Sequence, residues 1–288
     1  MIIKNNLDKN RGFLSSLSSY KESKIVLIGA PMDFTVSFKP GTRSGPRKIR
    51  EVSYGLEEYS IYLNETLEGK KFYDFGDLDL PFGNSLESLK IIASASKELI
   101  DDDKIPFFIG GEHLISLPVI QELRKKYSDL VVLHFDAHAD LRNDYIGEKL
   151  SHSAVMRRVY ESTKVKIFQY GIRSATKDEI LFAQKHTHFY PFKVIEPLKQ
   201  SMKMFSGKPL YVSFDIDVVD PAYAPGTGTP EPGGISSHEA IQVIHLLKDQ
   251  KIVGMDIVEV LPAFDLSDRT ALLAAKLIRE AVIILSKS

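Results

Sequence analysis

Residues 130–140 read LVVLHFDAHAD, so an apolar run leads directly into Asp136, His138 and Asp140 at alternate positions. Where a buried strand ends, the backbone turns outward, and ligands two residues apart can converge at the exposed rim. The stretch therefore predicts a buried strand that ends in a metal site. A second stretch has the same form, because Asp215 and Asp217 follow the apolar residues of a second run.

Short apolar runs recur along the chain and resemble strands buried on both faces, as in a parallel sheet. They lie at residues 25–28, 106–109, 130–133, 165–168, 210–214 and 252–258. Helical patterns separate them, at residues 85–100, 114–127, 177–185, 237–248 and 269–285. This alternation predicts an α/β fold. Because no low-complexity linker divides the 288 residues, we expect one domain over residues 1–288.

Composition narrows the classes of function. The chain has 37 basic and 38 acidic residues, which gives no general attraction to nucleic acid or to an anionic membrane and favours a small substrate. Cysteine is absent, so His and carboxylate are the strong metal ligands that remain. No apolar run is long enough to span a bilayer, and no export segment precedes the first strand. We therefore expect a soluble, cytoplasmic protein.

A third strand end, Gly110-Gly111-Glu112-His113, adds another imidazole. The candidate metal ligands are His113, Asp136, His138, Asp140, Asp215 and Asp217. Four carboxylates in one small volume would repel one another unless cations were bound, and two divalent ions would resolve the conflict. Oxygen-rich ligands without sulfur favour Mn²⁺ over a structural zinc site, with cobalt, iron and nickel as alternatives. Two such ions roughly 3.5–4 Å apart would acidify a shared water.

Each cluster also has a purely structural interpretation. Asp-X-Asp pairs commonly form turns or caps, the glycine pair could close a tight turn, and His113 could simply begin a helix. His134 has no comparable setting, and we interpret it as structural. The joint occurrence of three clusters at strand ends favours the metal site.

Two further residues lie where they could act on a substrate. His152 follows the Asp140 segment closely enough to serve as a proton carrier or substrate contact. Glu259 ends the last apolar strand, where it is either a simple rim residue or a carboxylate that binds a planar cation by paired hydrogen bonds. The second role would orient a guanidinium carbon towards the nucleophile.

The four motifs at residues 110–113, 136–140, 213–221 and 256–259 resemble, in order, the signatures of the ureohydrolase family, which contains arginases and agmatinases. The resemblance extends from about residue 25 to residue 285, and residues 40–46, 55–59 and 224–229 are most similar to bacterial agmatinases. Ala139 stands where many members have Thr, and Glu112 where many have Asp. We expect these departures to alter contacts around the ligands rather than to abolish the reaction.

The resemblance implies a three-layer α/β/α fold with a mostly parallel central sheet, two Mn²⁺ per subunit and a trimer or hexamer. One ion would be held by His113, Asp136, Asp140 and Asp215, and the other by Asp136, His138, Asp215 and Asp217. Glu259 would hold the guanidinium, with Asp140 and His152 assisting proton transfer. The implied reaction converts agmatine and water to putrescine and urea. Arginine, guanidinobutyrate, guanidinopropionate and formiminoglutamate are alternative substrates, and a catalytically silent binding subunit is an alternative function.

Overall fold

The protein is described by a computed structural model that covers residues 12–17 and 19–287. Its central sheet has eight strands: β1 Ile25–Ala30, β4 Phe72–Asp77, β5 Ile105–Gly110, β6 Val131–Phe135, β7 Lys166–Ile172, β8 His188–Pro191, β9 Leu210–Asp215 and β10 Ile252–Val258. The strand order is β4-β1-β5-β10-β9-β6-β7-β8, and neighbouring strands pair in parallel. A small antiparallel hairpin, β2 Tyr59–Ser60 and β3 Glu65–Thr66, lies outside this sheet.

Eight α-helices connect and cover the strands. They are α1 Gly45–Ser53, α2 Ser85–Asp101, α3 Ser116–Lys126, α4 Val155–Thr163, α5 Lys177–His186, α6 Ile195–Phe205, α7 Ser237–Leu246 and α8 Arg269–Leu285 among the residues described. Capping boxes begin α5 at Thr176 and α7 at Ser236. None of these helices is both long and apolar enough to cross a membrane.

The helices form layers on both faces of the sheet. Side chains alternate along β1, so Ile25 and Leu27 join one core while Val26 and Ile28 join the other. The first core includes apolar residues of α1, α6, α7 and α8, and the second includes those of α2, α3, α4 and α5. The structure thus confirms the expected three-layer α/β/α fold with a parallel central sheet.

The six predicted strands and five predicted helices are all present, whereas β2, β3, β4, β8, α1, α4 and α6 lie outside the predicted ranges. Strands β4 and β8 are the two edges of the sheet, and several of their residues are only partly buried. They therefore lack the continuous apolar run that marks the central strands. Helices α4 and α6 do have an apolar face, with Val155 and Val159 buried in α4 and Leu198 and Phe205 buried in α6, so their apolar periodicity was present in the sequence and was overlooked.

Strand order explains why distant segments meet. Strands β5, β10, β9, β6 and β7 are consecutive across the sheet and run in the same direction. The carboxyl ends of parallel strands lie at one edge, which is where α/β proteins place ligands. Each candidate site residue ends one of these strands, as Asp215 ends β9, or lies in the segment beyond a strand.

Candidate metal centre

His113 begins a short 3₁₀ helix just beyond β5 and is fully buried. Its Nε2 lies 2.8 Å from Ser213 Oγ, and the Ser213 hydroxyl itself donates to Asp256 Oδ1 at 2.8 Å. Because the serine proton is committed to Asp256, Ser213 Oγ accepts from the imidazole, and Nε2 must carry the hydrogen. This fixes the tautomer of the neutral ring and leaves the lone pair of His113 on Nδ1.

Three carboxylate oxygens surround that lone pair. His113 Nδ1 lies 3.1 Å from Asp136 Oδ2, 3.2 Å from Asp140 Oδ2 and 3.2 Å from Asp215 Oδ2, yet this buried nitrogen makes no hydrogen bond. An electron pair facing three anions needs a cation between them. In the metal-free centre that cation is a proton: burial opposes it, but the carboxylates outweigh burial and raise the pKa of His113 well above its usual value.

A second group adjoins the first. His138 Nδ1 lies 2.8 Å from Asp217 Oδ2 and 3.5 Å from Asp136 Oδ1, so Asp136 presents one oxygen to each imidazole. Burial lowers the pKa of His138, but Asp217 and Asp136 raise it to about 12. The side chain of His138 is 25% exposed, whereas that of His113 is 1% exposed. The second group is therefore the more open of the two.

Asp215 lies between the two groups and contacts a member of each. Its Oδ2 faces His113, while its Oδ1 accepts from the Asp217 backbone N–H at 2.9 Å. Burial, together with the charges of Asp217 and Asp136, raises the pKa of Asp215 well above its usual value. These carboxylates cannot all be ionised without cations nearby.

His134 is buried directly behind Asp136, and its role follows from its hydrogen bonds. Gln169 donates from Nε2 to the Ala139 carbonyl at 2.8 Å and contacts His134 Nδ1 at 3.1 Å, so Nδ1 is an acceptor. His134 Nε2 therefore carries the hydrogen and donates to Asp136 Oδ2 at 2.8 Å. A nitrogen that donates to Asp136 is not free to bind a cation, and His134 orients Asp136 instead.

Asp256 lies beneath the centre and is fully buried. It accepts hydrogen bonds from Ser213 Oγ at 2.8 Å, from Ser116 Oγ at 2.6 Å and from the hydroxyl of Tyr211. The chain Asp256–Ser213–His113 thus runs from the core to the candidate ligand. Sequence reasoning included Asp256 in the motif at residues 256–259 but gave it no role, because its partners Ser213, Ser116 and Tyr211 are distant in the chain.

Glu259 follows β10 in a left-handed conformation, with φ 64°. Its Oε1 accepts from the His113 backbone N–H at 2.8 Å and lies 3.4 Å from His152 Nδ1. Ser37 N–H points at His152 Nε2 from 3.1 Å, which requires a lone pair there and favours the neutral ring with its hydrogen on Nδ1. Burial lowers the pKa of His152, whereas Glu259 and other acids raise it to about 9. The Ser37 contact opposes that rise, and we assign the neutral Nδ1–H form.

The two departures from the family pattern are both buried. Glu112 accepts two hydrogen bonds of 2.7 Å from Thr35, whose hydroxyl also accepts from the His152 backbone N–H at 3.0 Å. Burial raises the pKa of Glu112 to about 7. Ala139 packs in the second core, while its carbonyl accepts from Gln169 and its N–H donates to the Ser174 carbonyl at 3.2 Å. Glu112 thus helps to hold the His152 loop, while Ala139 serves packing.

The centre opens into a cavity of about 390 Å³. Candidate site residues on its wall are His138, Asp140, His152, Asp215, Asp217 and Glu259. Arg142, Tyr145 and Phe38 also line it, together with small hydroxyl side chains such as Ser37, Ser153, Ser174 and Thr176. The cavity is large enough for a small linear molecule whose one end reaches Glu259.

The residues present fit a divalent metal site. Two groups of side chains each bring their candidate ligand atoms within 4.8 Å of one another: His113, His134, Asp136 and Asp140 form one, in which His134 is engaged by Asp136, and Asp136, His138 and Asp217 form the other. The donors are imidazole nitrogen and carboxylate oxygen, as hard or intermediate divalent cations prefer. The most specific feature is Nδ1 of His113, which is buried, makes no hydrogen bond and faces three carboxylates, as a metal ligand would.

The comparisons with known proteins agree with this geometry. Residues 23–284 match the family model described as the arginase family. Agmatinases from Bacillus cereus and Bacillus subtilis are 48% and 46% identical over 275 residues, covering 94% of this chain and 95% of each relative. The crystal structure of agmatine ureohydrolase of Thermoplasma volcanium has a TM-score of 0.87 at 29% identity, covering 99% of this chain and 97% of that chain. The chain therefore belongs to the arginase family.

Proposed function

We propose that this protein is an agmatinase, which hydrolyses agmatine and water to putrescine and urea. The observation that carries the proposal is the position of Glu259 on the wall of the cavity that His138, Asp140, Asp215 and Asp217 also line. A carboxylate beside a metal site suits a guanidinium group. The likeness to bacterial agmatinases along nearly the whole chain supports agmatine as the substrate.

Two Mn²⁺ ions would occupy the centre. We assign one to His113, Asp136, Asp140 and Asp215, and the other to Asp136, His138, Asp215 and Asp217. The lone pair of His113 among three carboxylates, and the division of Asp136 between two imidazoles, support this assignment. When bound, such ions lower the pKa of water and so supply a hydroxide nucleophile near neutral pH.

Glu259 would bind and orient the guanidinium. Its Oε1 is already held by His113 N–H and faces His152 Nδ1, so Oε2 is the oxygen that would accept from the substrate. This differs from the paired hydrogen bonds expected from the sequence, since one oxygen of Glu259 is used to fix the carboxylate. A single charge-assisted hydrogen bond contributes about 1.5–3 kcal/mol.

Asp140 and His152 would handle protons on the two sides of the substrate. Asp140 adopts φ 53° at the cavity wall, where its carboxylate can take up a proton and pass it to the departing amine. His152 is held by Ser37 and Thr35 with Nδ1 towards Glu259, so it can donate a hydrogen bond near the substrate nitrogen. The amine leaves as putrescine. The guanidinium carbon, its two other nitrogens and the oxygen of water form urea.

We also propose that the chain is one domain, that it works in the cytoplasm and that it forms a homo-oligomer, a trimer or a hexamer. The unbroken eight-stranded sheet supports the first proposal. The resemblance to the ureohydrolases supports the others. Exposed apolar side chains such as Ile61 at 85% and Leu266 at 101% relative exposure offer surface that a subunit contact would cover.

A different linear guanidino or amidino substrate is the second candidate function, and Arg142 is the observation that favours it. Arg142 lines the cavity, and its Nε lies 4.0 Å from Glu179 Oε2. Glu179 already accepts from Thr176 and from the Leu141 N–H, so it offsets the Arg142 charge only in part. A cation at the wall would suit a substrate that ends in a carboxylate, such as guanidinobutyrate or arginine, better than the ammonium of agmatine.

A panel assay separates these candidates. Metal-free protein is reloaded with Mn²⁺, and urea release is measured with agmatine, arginine, guanidinobutyrate and guanidinopropionate, while formiminoglutamate is followed by glutamate release. We expect kcat/KM for agmatine to exceed that for every other compound by about tenfold or more. A preference for guanidinobutyrate would support the Arg142 argument and reject agmatine. No product from any compound would favour a silent binding subunit.

A further inference from the structure

Arg173 lies one residue beyond β7, at the same edge of the sheet as the metal centre. Among the hydrogen bonds described, those of its guanidinium go only to backbone carbonyls. The acceptors are Asp217 O at 2.6 Å, Glu231 O at 2.8 and 3.1 Å, Val218 O at 3.2 Å and Gly171 O at 3.3 Å. One planar side chain thus fastens strand β7, the Asp217 segment and the loop that contains Glu231.

The backbone of Arg173 fastens the other ligand segment. Its N–H donates to the Ala137 carbonyl at 2.8 Å, and the N–H of Ser174 donates to the same oxygen at 2.9 Å. Ala137 lies between Asp136 and His138, and its own N–H donates to Asp217 Oδ1 at 3.0 Å. Arg173 therefore contacts the Asp217 segment through its side chain and the His138 segment through its backbone. The hydrogen bond from Ala137 N–H to Asp217 joins these two segments.

The surrounding chain is packed closely around this contact. A side-chain carbon at Gly234 would come within 2.7 Å of Arg173 Nη2 and within 2.5 Å of the Asp220 nitrogen. Gly171 has φ 86°, and a carbon there would meet Val218 at 2.7 Å. Backbone this close leaves the guanidinium little room to move, so the positions of its acceptors are fixed with it.

The chemistry of the contact calls for arginine specifically. Several carbonyls in different directions need several donors held in a plane, and a guanidinium offers five N–H groups in a rigid fork. A lysine ammonium has three donors at one point and could reach only part of this set. No hydrogen bond of the guanidinium goes to a carboxylate, and the Arg173 charge is only the last of the causes that lower the pKa of Asp220, so charge neutralisation does not explain the hydrogen bonds.

We propose that Arg173 is a positioning residue that sets the geometry of the His138–Asp217 group and thereby the affinity of that group for its metal ion. The inference rests on the proposed two-metal function. It concerns one half of the centre only, because the contacts of Arg173 reach the segments of Asp217 and Ala137, whereas His113 is held separately by Ser213 and Asp256. The more exposed ion site should therefore depend on Arg173, and the buried one should not.

The test is equilibrium dialysis of metal-free protein against increasing Mn²⁺ with the metal content measured for wild type, Arg173→Met and Arg173→Lys. Wild type should bind two ions. In Arg173→Met the first ion should bind as in wild type, and the second should bind about tenfold more weakly or worse. Arg173→Lys should fall between the two. Excess Mn²⁺ should restore urea release in both variants, because the ligands themselves are unchanged.

Arg124→Met is the matched control. Arg124 is also partly buried and also donates to backbone carbonyls, those of Thr163 at 3.3 Å and Tyr127 at 3.5 Å, away from the metal centre. This substitution should lower the melting temperature of the metal-free protein without changing the affinity for either ion. If Arg173→Met does not fold, as judged by circular dichroism, the lysine variant decides the question by the same two affinities.

Several outcomes would overturn the inference. Equal weakening of both ions, unchanged affinity for both, or a wild-type protein that binds one ion or none would each reject it. Failure of the proposed function looks different: wild type would bind two ions, and Arg173→Met would selectively weaken the second, yet no urea would be released from agmatine. The binding measurement thus judges Arg173 separately from the substrate.

Discussion

His134 donates a hydrogen bond of 2.8 Å to Asp136 through the same oxygen, Oδ2, that faces His113 Nδ1 at 3.1 Å. A residue two positions earlier in the chain thereby fixes the carboxylate that both groups of the centre share. The hydrogen bond from Gln169 to His134 Nδ1 sets the direction of this donation. A three-residue relay, and not the ligands alone, determines where Asp136 points.

We expect His134→Ala to weaken Mn²⁺ binding about 10- to 100-fold, because Asp136 would lose the donor that orients it. The measurement is Mn²⁺ affinity by equilibrium dialysis. His238→Ala is the control, since His238 is exposed and contacts only Gln242 among the described residues, at 3.1 Å. Unchanged affinity in His134→Ala would show that Asp136 is held by other contacts.

Asp136→Asn should remove both ions, because Asp136 is the residue that the two groups share. Urea release should fall by at least about a hundredfold, since the asparagine lacks the charge that balances two cations. Metal content and activity are measured on the same samples, with the exposed Asp79→Asn as control. Loss of only one ion would mean that Asp215 alone bridges the site.

Asp256→Asn should destabilise the metal-free protein by about 1–3 kcal/mol, because an amide N–H₂ would face the hydroxyl donors that Asp256 now accepts from. The midpoint of urea-induced unfolding measures this change. Ser116→Ala removes one of those donors and should cost about 1 kcal/mol. A variant as stable as wild type would indicate that the hydroxyls of Ser116, Ser213 and Tyr211 reverse their donation freely.

Glu259→Gln should lower kcat/KM about 10- to 100-fold and leave Mn²⁺ affinity nearly unchanged, since the glutamine oxygen can still accept from His113 N–H while the charge that binds the guanidinium is lost. Steady-state urea release and Mn²⁺ dialysis check the two halves of this expectation. Exposed Glu68→Gln serves as the control. A variant with full activity would reject Glu259 as the guanidinium partner.

The stabilisation given by Mn²⁺ should grow with pH. In the metal-free protein His138 has a pKa raised to about 12, above the value near 6.5 of an unfolded histidine, so its protonation stabilises the fold at low pH. That contribution is lost as pH rises from about 6.5 towards 12. Mn²⁺ displaces this proton and that of His113, whose pKa is also raised.

The check is the melting temperature with and without Mn²⁺ at pH 6.0 and pH 8.5, at equal ionic strength. We expect a larger rise at pH 8.5, with affinity increasing about tenfold per pH unit for each proton displaced. A rise that is the same at both pH values would mean that the ions bind without displacing protons. It would also contradict the raised pKa values of the two histidines.

Residue type and burial made part of this structure predictable. Buried apolar runs marked the central strands, and the change from apolar to acidic residues at Asp136 and Asp215 marked where those strands end. Edge strands β4 and β8 were not predicted, because several of their residues are partly exposed and they lack a continuous apolar run. The candidate metal ligands could be named from the sequence because imidazole and carboxylate side chains are recognisable by residue type, and the structure brings His113, Asp136, His138, Asp140 and Asp217 together.

Roles that depend on a distant partner were not predictable. The direction of His134 depends on Gln169, which is 35 positions away on β7. The hydrogen bond from His113 N–H to one oxygen of Glu259 joins residues that are 146 positions apart. Arg173 belongs to no ligand motif, and its importance comes from carbonyls that the fold brings to it. Such pairings follow from strand order, which local patterns do not encode.

The insertion of β10 between β5 and β9 has a consequence for how the protein is made. During synthesis, the segments of His113, Asp136 and Asp215 are made before residues 252–258. The sheet then lacks the strand that joins its two halves, and His113 cannot meet Asp215 or Glu259 in the final arrangement. Metal uptake should therefore be a late, post-translational event, governed by closure of the sheet from its centre rather than by growth from one edge.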